Sequence, residues 1–196
     1  TNMLNSTKTG TLTTLTAAGF ETLNLDLAST ATANTTIAAT VVATGTTALN
    51  LTGSKITQAT VTAKDGATID ASAVTGTTKV TVDNNAKDYT IKGSATAAGE
   101  FVMGTQLDDG DTITAGSATT DTLSATVNGL NATTGALSIS GVETIVLDTV
   151  TAASTIDASG IVGATDIKVM GALDLTFTDV AAGVNFTLGT AASSAA

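Results

Sequence analysis

Gly141-Val142-Glu143-Thr144-Ile145-Val146-Leu147-Asp148 echoes an earlier run, Gly19-Phe20-Glu21-Thr22-Leu23-Asn24-Leu25-Asp26. A second pair follows. Thr68-Ile69-Asp70-Ala71-Ser72-Ala73-Val74-Thr75-Gly76 returns as Thr155-Ile156-Asp157-Ala158-Ser159-Gly160-Ile161-Val162-Gly163, and the likeness continues into Val80-Thr81-Val82 and Ile167-Lys168-Val169. The offsets are 122 and 87 residues, so the first unit carries 35 more residues between its two motifs than the second. Extra residues of that order are what one or two added coils of a solenoid would supply, whereas a closed barrel tolerates such length changes less easily.

Working outward, Leu23, Leu25 and Leu27 alternate onto one face of a strand. Short apolar beats recur at Leu49/Leu51, Val61, Ile69, Val80/Val82 and Tyr89/Ile91, with Gly, Asn, Asp, Ser or Lys between them. Even spacing of short strands and turn signals indicates an all-β sandwich, barrel or solenoid. The Ala/Thr stretch 28–47 does not decide between a strand pair and a loop, and its 28–43 portion is a candidate for a short helix. The fold expected is therefore all-β: a parallel β-solenoid with coils of about 20–25 residues and a length of roughly 40–45 Å. An Ig-like β-sandwich is the alternative. The whole chain, 1–196, reads as one such domain and as a segment of a longer secreted chain.

Composition agrees. The chain is 42% hydrophobic, but it has only five aromatic residues, Phe20, Phe101, Phe177, Phe186 and Tyr89. Aromatic rings each bury roughly 150–250 Å², so this chain is better suited to a thin core of stacked small and β-branched side chains. Without Pro, nothing interrupts long runs of backbone pairing. There is no Cys, His, Arg or Trp. That removes disulfides, thiol nucleophiles and the commonest general base, and no enzyme is expected. A carboxylate pair can cleave polysaccharide, but such sites usually hold sugar with aromatic or arginine groups that this chain scarcely has. Seven Lys against seventeen acids give a net charge of −10, which disfavours nucleic acid and anionic membranes and favours cations. No run of about 18 apolar residues spans a membrane.

The stretch from Gly99 to Asp148 carries two beats, Asp111-Thr112-Ile113 and Asp121-Thr122-Leu123, each after a run of Asp, Gly, Ser and Thr. Calcium takes six to eight oxygen ligands from carboxylates and carbonyls, and glycine turns can aim carbonyls inward. Asp108, Asp109, Asp111 and Asp121 lie within fourteen residues, with Gly110 and Gly116 as flexible points, and are the candidate calcium ligands. The competing reading is that they are solvated turn residues, since turns use Asp and Gly anyway. Glu21 and Glu143, at matching points of the first echo, are expected on the solvent face. In the second echo Ile and Ala are expected inside, with Asp70, Asp157 and their following Ser outside, satisfying turn backbone.

The order of these motifs, the Asp-Thr-Ile and Asp-Thr-Leu pair, then Gly-Val-Glu-Thr-Ile-Val-Leu-Asp, then Ser-Thr-Ile-Asp-Ala-Ser-Gly, resembles bacterial RTX-type surface-layer proteins of the Caulobacter-like kind, and large RTX adhesins. The resemblance covers residues 99–175, with 19–27 and 67–82 in part, and 99–125 resembles degenerate RTX calcium turns. No intact Gly-Gly-x-Gly-x-Asp turn is present. The resemblance implies export from the cell, calcium as cofactor, and assembly with copies of itself into a lattice or filament at the cell surface. Cell-surface polysaccharide is a further partner class. Thr-x-Thr triplets such as Thr60-Val61-Thr62 and Thr112-Ile113-Thr114 raise ice binding as a lesser alternative; flat threonine ladders need an even repeat, and the spacing here is irregular.

Overall fold

The computed structural model describes residues 2–5, 14–17, 19–27, 38–53, 56–82, 88–132, 137–149, 152–171 and 174–189. The chain winds as a β-solenoid of parallel strands. It alternates between two faces in β1 (Asn2–Asn5), β2 (Thr14–Thr16), β3 (Thr22–Leu27), β4 (Ala38–Ala43), β5 (Ala48–Gly53), β6 (Ile56–Ala63), β7 (Thr68–Val74), β8 (Thr78–Val82), β9 (Thr90–Lys92), β10 (Gly99–Gly104), β11 (Thr112–Thr114) and β12 (Thr122–Val127). A third face then opens with β13 (Asn131–Ala132). The later coils run β14 (Ser138–Ser140), β15 (Thr144–Thr149), β16 (Ser154–Asp157), β17 (Ile161–Val162), β18 (Asp166–Gly171), β19 (Leu175–Thr178) and β20 (Asn185–Gly189). The first sheet is β1-β3-β5-β7-β9-β11-β14-β17, the second β2-β4-β6-β8-β10-β12-β15-β18-β20, and the third β13-β16-β19. Nine strands about 4.8 Å apart make the second sheet roughly 40 Å long. No α-helix occurs among the described residues. Residues 38–43 of the helix candidate are strand β4, and the rest of it lies outside them.

Coil length varies while the inward columns stay aligned, and bulges at Asn50–Thr52, Ile56–Ala59 and Val102–Gly104 take up local shifts of register. On the first face Thr22 pairs with Ala48, then Thr68, Thr90, Thr112 and Ser138, steps of 26, 20, 22, 22 and 26 residues. The corners absorb the difference. Inward side chains therefore stack like on like: Leu23, Leu49, Ile69, Ile91, Ile113, Ile139 and Ile161 form one column, none more than 6% exposed. The second face contributes Val80, Phe101, Leu123, Ile145 and Ile167, ending on Phe186, which has no coil beyond it among the described residues and is 45% exposed. The core is thin, as the small aromatic content requires, and each coil buries its interior only by covering its neighbours.

Outward columns are polar and bonded to one another. The Asn50 amide donates to Asn24 Oδ1 at 2.7 Å, Lys92 to Asp70 Oδ2 at 3.2 Å, and Ser140 to Thr114 Oγ1 at 3.4 Å, all along one file of the first sheet. Corners pack closely: a Cβ on Gly116 would lie 2.0 Å from the Ser94 carbonyl oxygen of the coil before, so only glycine fits there.

The first echo is a corner motif. Gly19 and Gly141 both take positive φ, +85° and +71°. The Glu21 carbonyl accepts the amides of Thr47 and Ala48 at 2.9 and 3.0 Å, and the Glu143 carbonyl accepts those of Thr165 and Asp166 at the same distances. The two copies nevertheless lead into different faces, β3 in the first sheet and β15 in the second. The 35-residue surplus is therefore not a whole number of coils. The fold expectation holds, although the echoes mark equivalent corners rather than equivalent coil positions.

Candidate functional site

The four acidic candidates divide between two corners. Asp108, Asp109 and Asp111 lie on the turn that leads into β11; Asp121 lies beyond β11, at the start of β12. Asp111 is fully buried. Its Oδ1 accepts the Tyr89 amide and its Oδ2 the Asp108 amide, both at 2.8 Å. Burial raises its pKa to about 7, against those two hydrogen bonds, and the nearby charges of Asp108 and Asp88 add to the rise. Asp121 is 1% exposed; its Oδ1 accepts the Gly99 amide at 2.5 Å, and its Oδ2 is buried with no hydrogen-bond partner. Burial raises its pKa too, opposed by the Gly99 amide and reinforced by the Glu143 charge.

These contacts repeat a single device. Tyr89 and Asp111 are matching residues of successive coils, 22 apart, each just before a first-sheet strand. Gly99, Asp121 and Glu143 are the matching set at the starts of second-sheet strands, Gly99 opening β10 and the two acids just preceding β12 and β15. Asp121 takes the amide of Gly99, and Glu143 Oε2 takes that of Asp121 at 2.8 Å. An acidic side chain thus reaches back one coil and caps an amide at a corner, where the regular ladder is interrupted. Hydroxyls do likewise: Thr46 donates to the Phe20 carbonyl at 2.7 Å and Ser94 to the Val74 carbonyl at 2.6 Å. Glu143 is accordingly half-buried and bonded to backbone rather than solvated, while Glu21 is exposed as expected.

The second echo also keeps its local chemistry. Asp70 Oδ1 accepts the Ser72 amide at 3.0 Å, and Asp157 Oδ1 accepts the Ser159 amide at 2.9 Å. Ile69, Ala71, Ile156 and Ala158 face inward. Asp157, expected outside, is 6% exposed, because it caps a 3-10 turn over Ala158–Gly160 tucked into the corner. Burial pushes the Asp70 pKa up, but the Ser72 hydrogen bonds and the Lys92 ammonium outweigh it, and the net shift is downward.

As a calcium cage the predicted set fits poorly. Among the described residues no group of three or more acidic side chains is arranged to hold a metal ion. Asp111 spends both oxygens on backbone amides, and β11 with its following corner stands between it and Asp121.

Sequence reasoning missed a cleft of about 340 Å³ where the third face begins, lined by Asp108 and Asp109 together with Thr105, Thr126, Asn128 and Asn131. Only the two acids stood out in the sequence; the other residues are brought to them by coil stacking. No helix among the described residues is long and apolar enough to cross a membrane. No family model, curated protein or solved structure matches the chain.

Proposed function

We propose that this solenoid is a structural segment of a secreted, cell-surface protein that assembles with copies of itself into a surface layer. A segment of a large adhesin is the alternative. The observation that carries the reading is the construction of the rod: parallel sheets whose inward columns stay aligned over steps of 19–26 residues, with outward files of mutually bonded polar side chains. Such a rod presents a long, stiff, repetitive surface suited to lateral contact with copies of itself and with cell-surface polysaccharide. Calcium enters this reading as a counter-ion that lowers repulsion between copies of net charge −10, rather than as the occupant of one cage.

Negative-stain imaging during calcium addition and chelation tests it. Ordered sheets or filaments that form with calcium and disperse with chelator are expected, and magnesium should substitute in part if the ion acts by diffuse screening. Dispersed particles under every condition would remove self-assembly and leave the adhesin reading.

One observation favours a second reading. Thr22, Thr68, Thr90, Thr112 and Ser138 stack in one outward file of the first sheet, interrupted only by Ala48, despite their irregular spacing in sequence. An even threonine ladder is what ice binding requires, and thermal hysteresis of the purified protein would reveal it. The Asp70–Lys92 ion pair in the adjacent file places charge beside this ladder, and this weakens the case.

A further inference from the structure

We infer that the cleft at the start of the third face binds a neutral, hydroxyl-rich saccharide of about two rings. The inference names a site for the polysaccharide contact in the reading above and rests on that reading for its setting, though its test does not depend on assembly.

The cleft has a topological cause. After β10 the chain turns through 105–111 directly to β11, whereas one coil later, after β12, it runs out into β13 before returning. Strand β13 pairs with β16 on one side, and among the described residues no strand of the third sheet lies on its other side. The step between a two-faced coil and a three-faced one leaves an overhang of about 340 Å³ between 105–109 and 126–131. That volume falls within the range of about 300–1,000 Å³ typical of small-molecule sites. A calcium ion, with oxygens only about 2.3–2.6 Å away, fills a small part of it.

The lining is chemically selective. Exposed Asp109 supplies carboxylate oxygens that accept from hydroxyl groups, while Asp108, with its Oδ1 buried, forms the back of the cleft. Asn128 and Asn131 add carboxamides that both donate and accept, and Thr105 and Thr126 add hydroxyls. Leu130, partly exposed, offers apolar surface for the C–H face of a ring, and the buried Leu107 lies beneath the cleft. No basic side chain lines the cleft, so phosphate, sulfate and uronate ligands meet two carboxylates with nothing to neutralise them. Asp109, Asn128 and Asn131 are exposed, so a ligand reaches them without the coil opening.

The test is titration of ¹⁵N-labelled protein with maltose, cellobiose and N,N′-diacetylchitobiose, following amide shifts. At least one sugar should move amides in 105–109 and 126–131 and saturate with a Kd of about 1 mM. The double variant Asp109→Ala/Asn131→Ala changes only exposed positions; it should keep the remaining spectrum and weaken binding about tenfold or more. Three results would each overturn the inference: no response to any of the three sugars, shifts confined to other parts of the chain, or equal binding by the double variant. Calcium chloride alone moving the same amides, without any response to sugar, would make this a cation cleft and overturn it as well. Ordered sheets in the imaging experiment combined with a silent titration would retire the cleft and leave the assembly reading standing.

Discussion

Asp111 is buried at a corner with two backbone amides donating to it and two further carboxylates, Asp108 and Asp88, close by. Its folded-state pKa of about 7 lies above the ordinary value of 3.8, so its contribution to stability is fully present below the lower value and is lost as pH rises through the upper one. The loss should accumulate to on the order of 3 kcal/mol between about pH 4 and 7. Chemical denaturation of wild type and Asp111→Asn across that range checks this. The variant should show a flatter profile but a lower plateau at acid pH, because its amide nitrogen cannot accept from a backbone N–H. Asp70, with a lowered pKa, acts oppositely: its contribution is present above 3.8 and is lost as pH falls further. Thr78 offers a simpler case. Its Oγ1 is buried without a hydrogen-bond partner, so Thr78→Val should raise stability by about 1 kcal/mol, read as a higher thermal midpoint. The sequence showed which acids cluster along the chain. It could not show that a coil step of 22 residues pairs Asp121 with Gly99 and Glu143 while β11 parts it from Asp111.

Strands and their inward faces were legible, because alternation such as Leu23, Leu25 maps directly onto a pleated face. Faces were not. The Gly-x-Glu-Thr motif encodes a corner with a left-handed glycine and a doubly accepting carbonyl, and that local geometry serves equally before β3 and before β15. The third face was invisible for a related reason: it starts with a two-residue strand inserted at a corner, too short to show any period. Column position, rather than residue type, should set the cost of substitution. Ile113→Ala, fully buried with Ile91 and Ile139 on either side, should cost about 3 kcal/mol in equilibrium unfolding. Leu188→Ala, on the last strand and 82% exposed, should change stability by less than about 0.5 kcal/mol.

Among the described residues the main contacts of each coil are with the coils before and after it, so stability at the scale of the whole molecule approximates a sum of neighbour interfaces. Hydrogen exchange should accordingly be slower in β9–β12, covered on both sides, than in β1, β2, β19 and β20, each covered on one side among the described residues. Equal protection along the rod would mean that the coils melt as a single unit. The pairing of matching residues about 22 positions apart has a mechanical meaning as well. If the two chain ends are pulled apart, load falls on one terminal strand at a time, and its hydrogen bonds part in sequence instead of sharing the strain. Each released coil then pays out about 70 Å of extended chain. Built this way, the rod would lengthen under force in many small, recoverable steps, dissipating work coil by coil where a single-core domain of equal length would give way in one event.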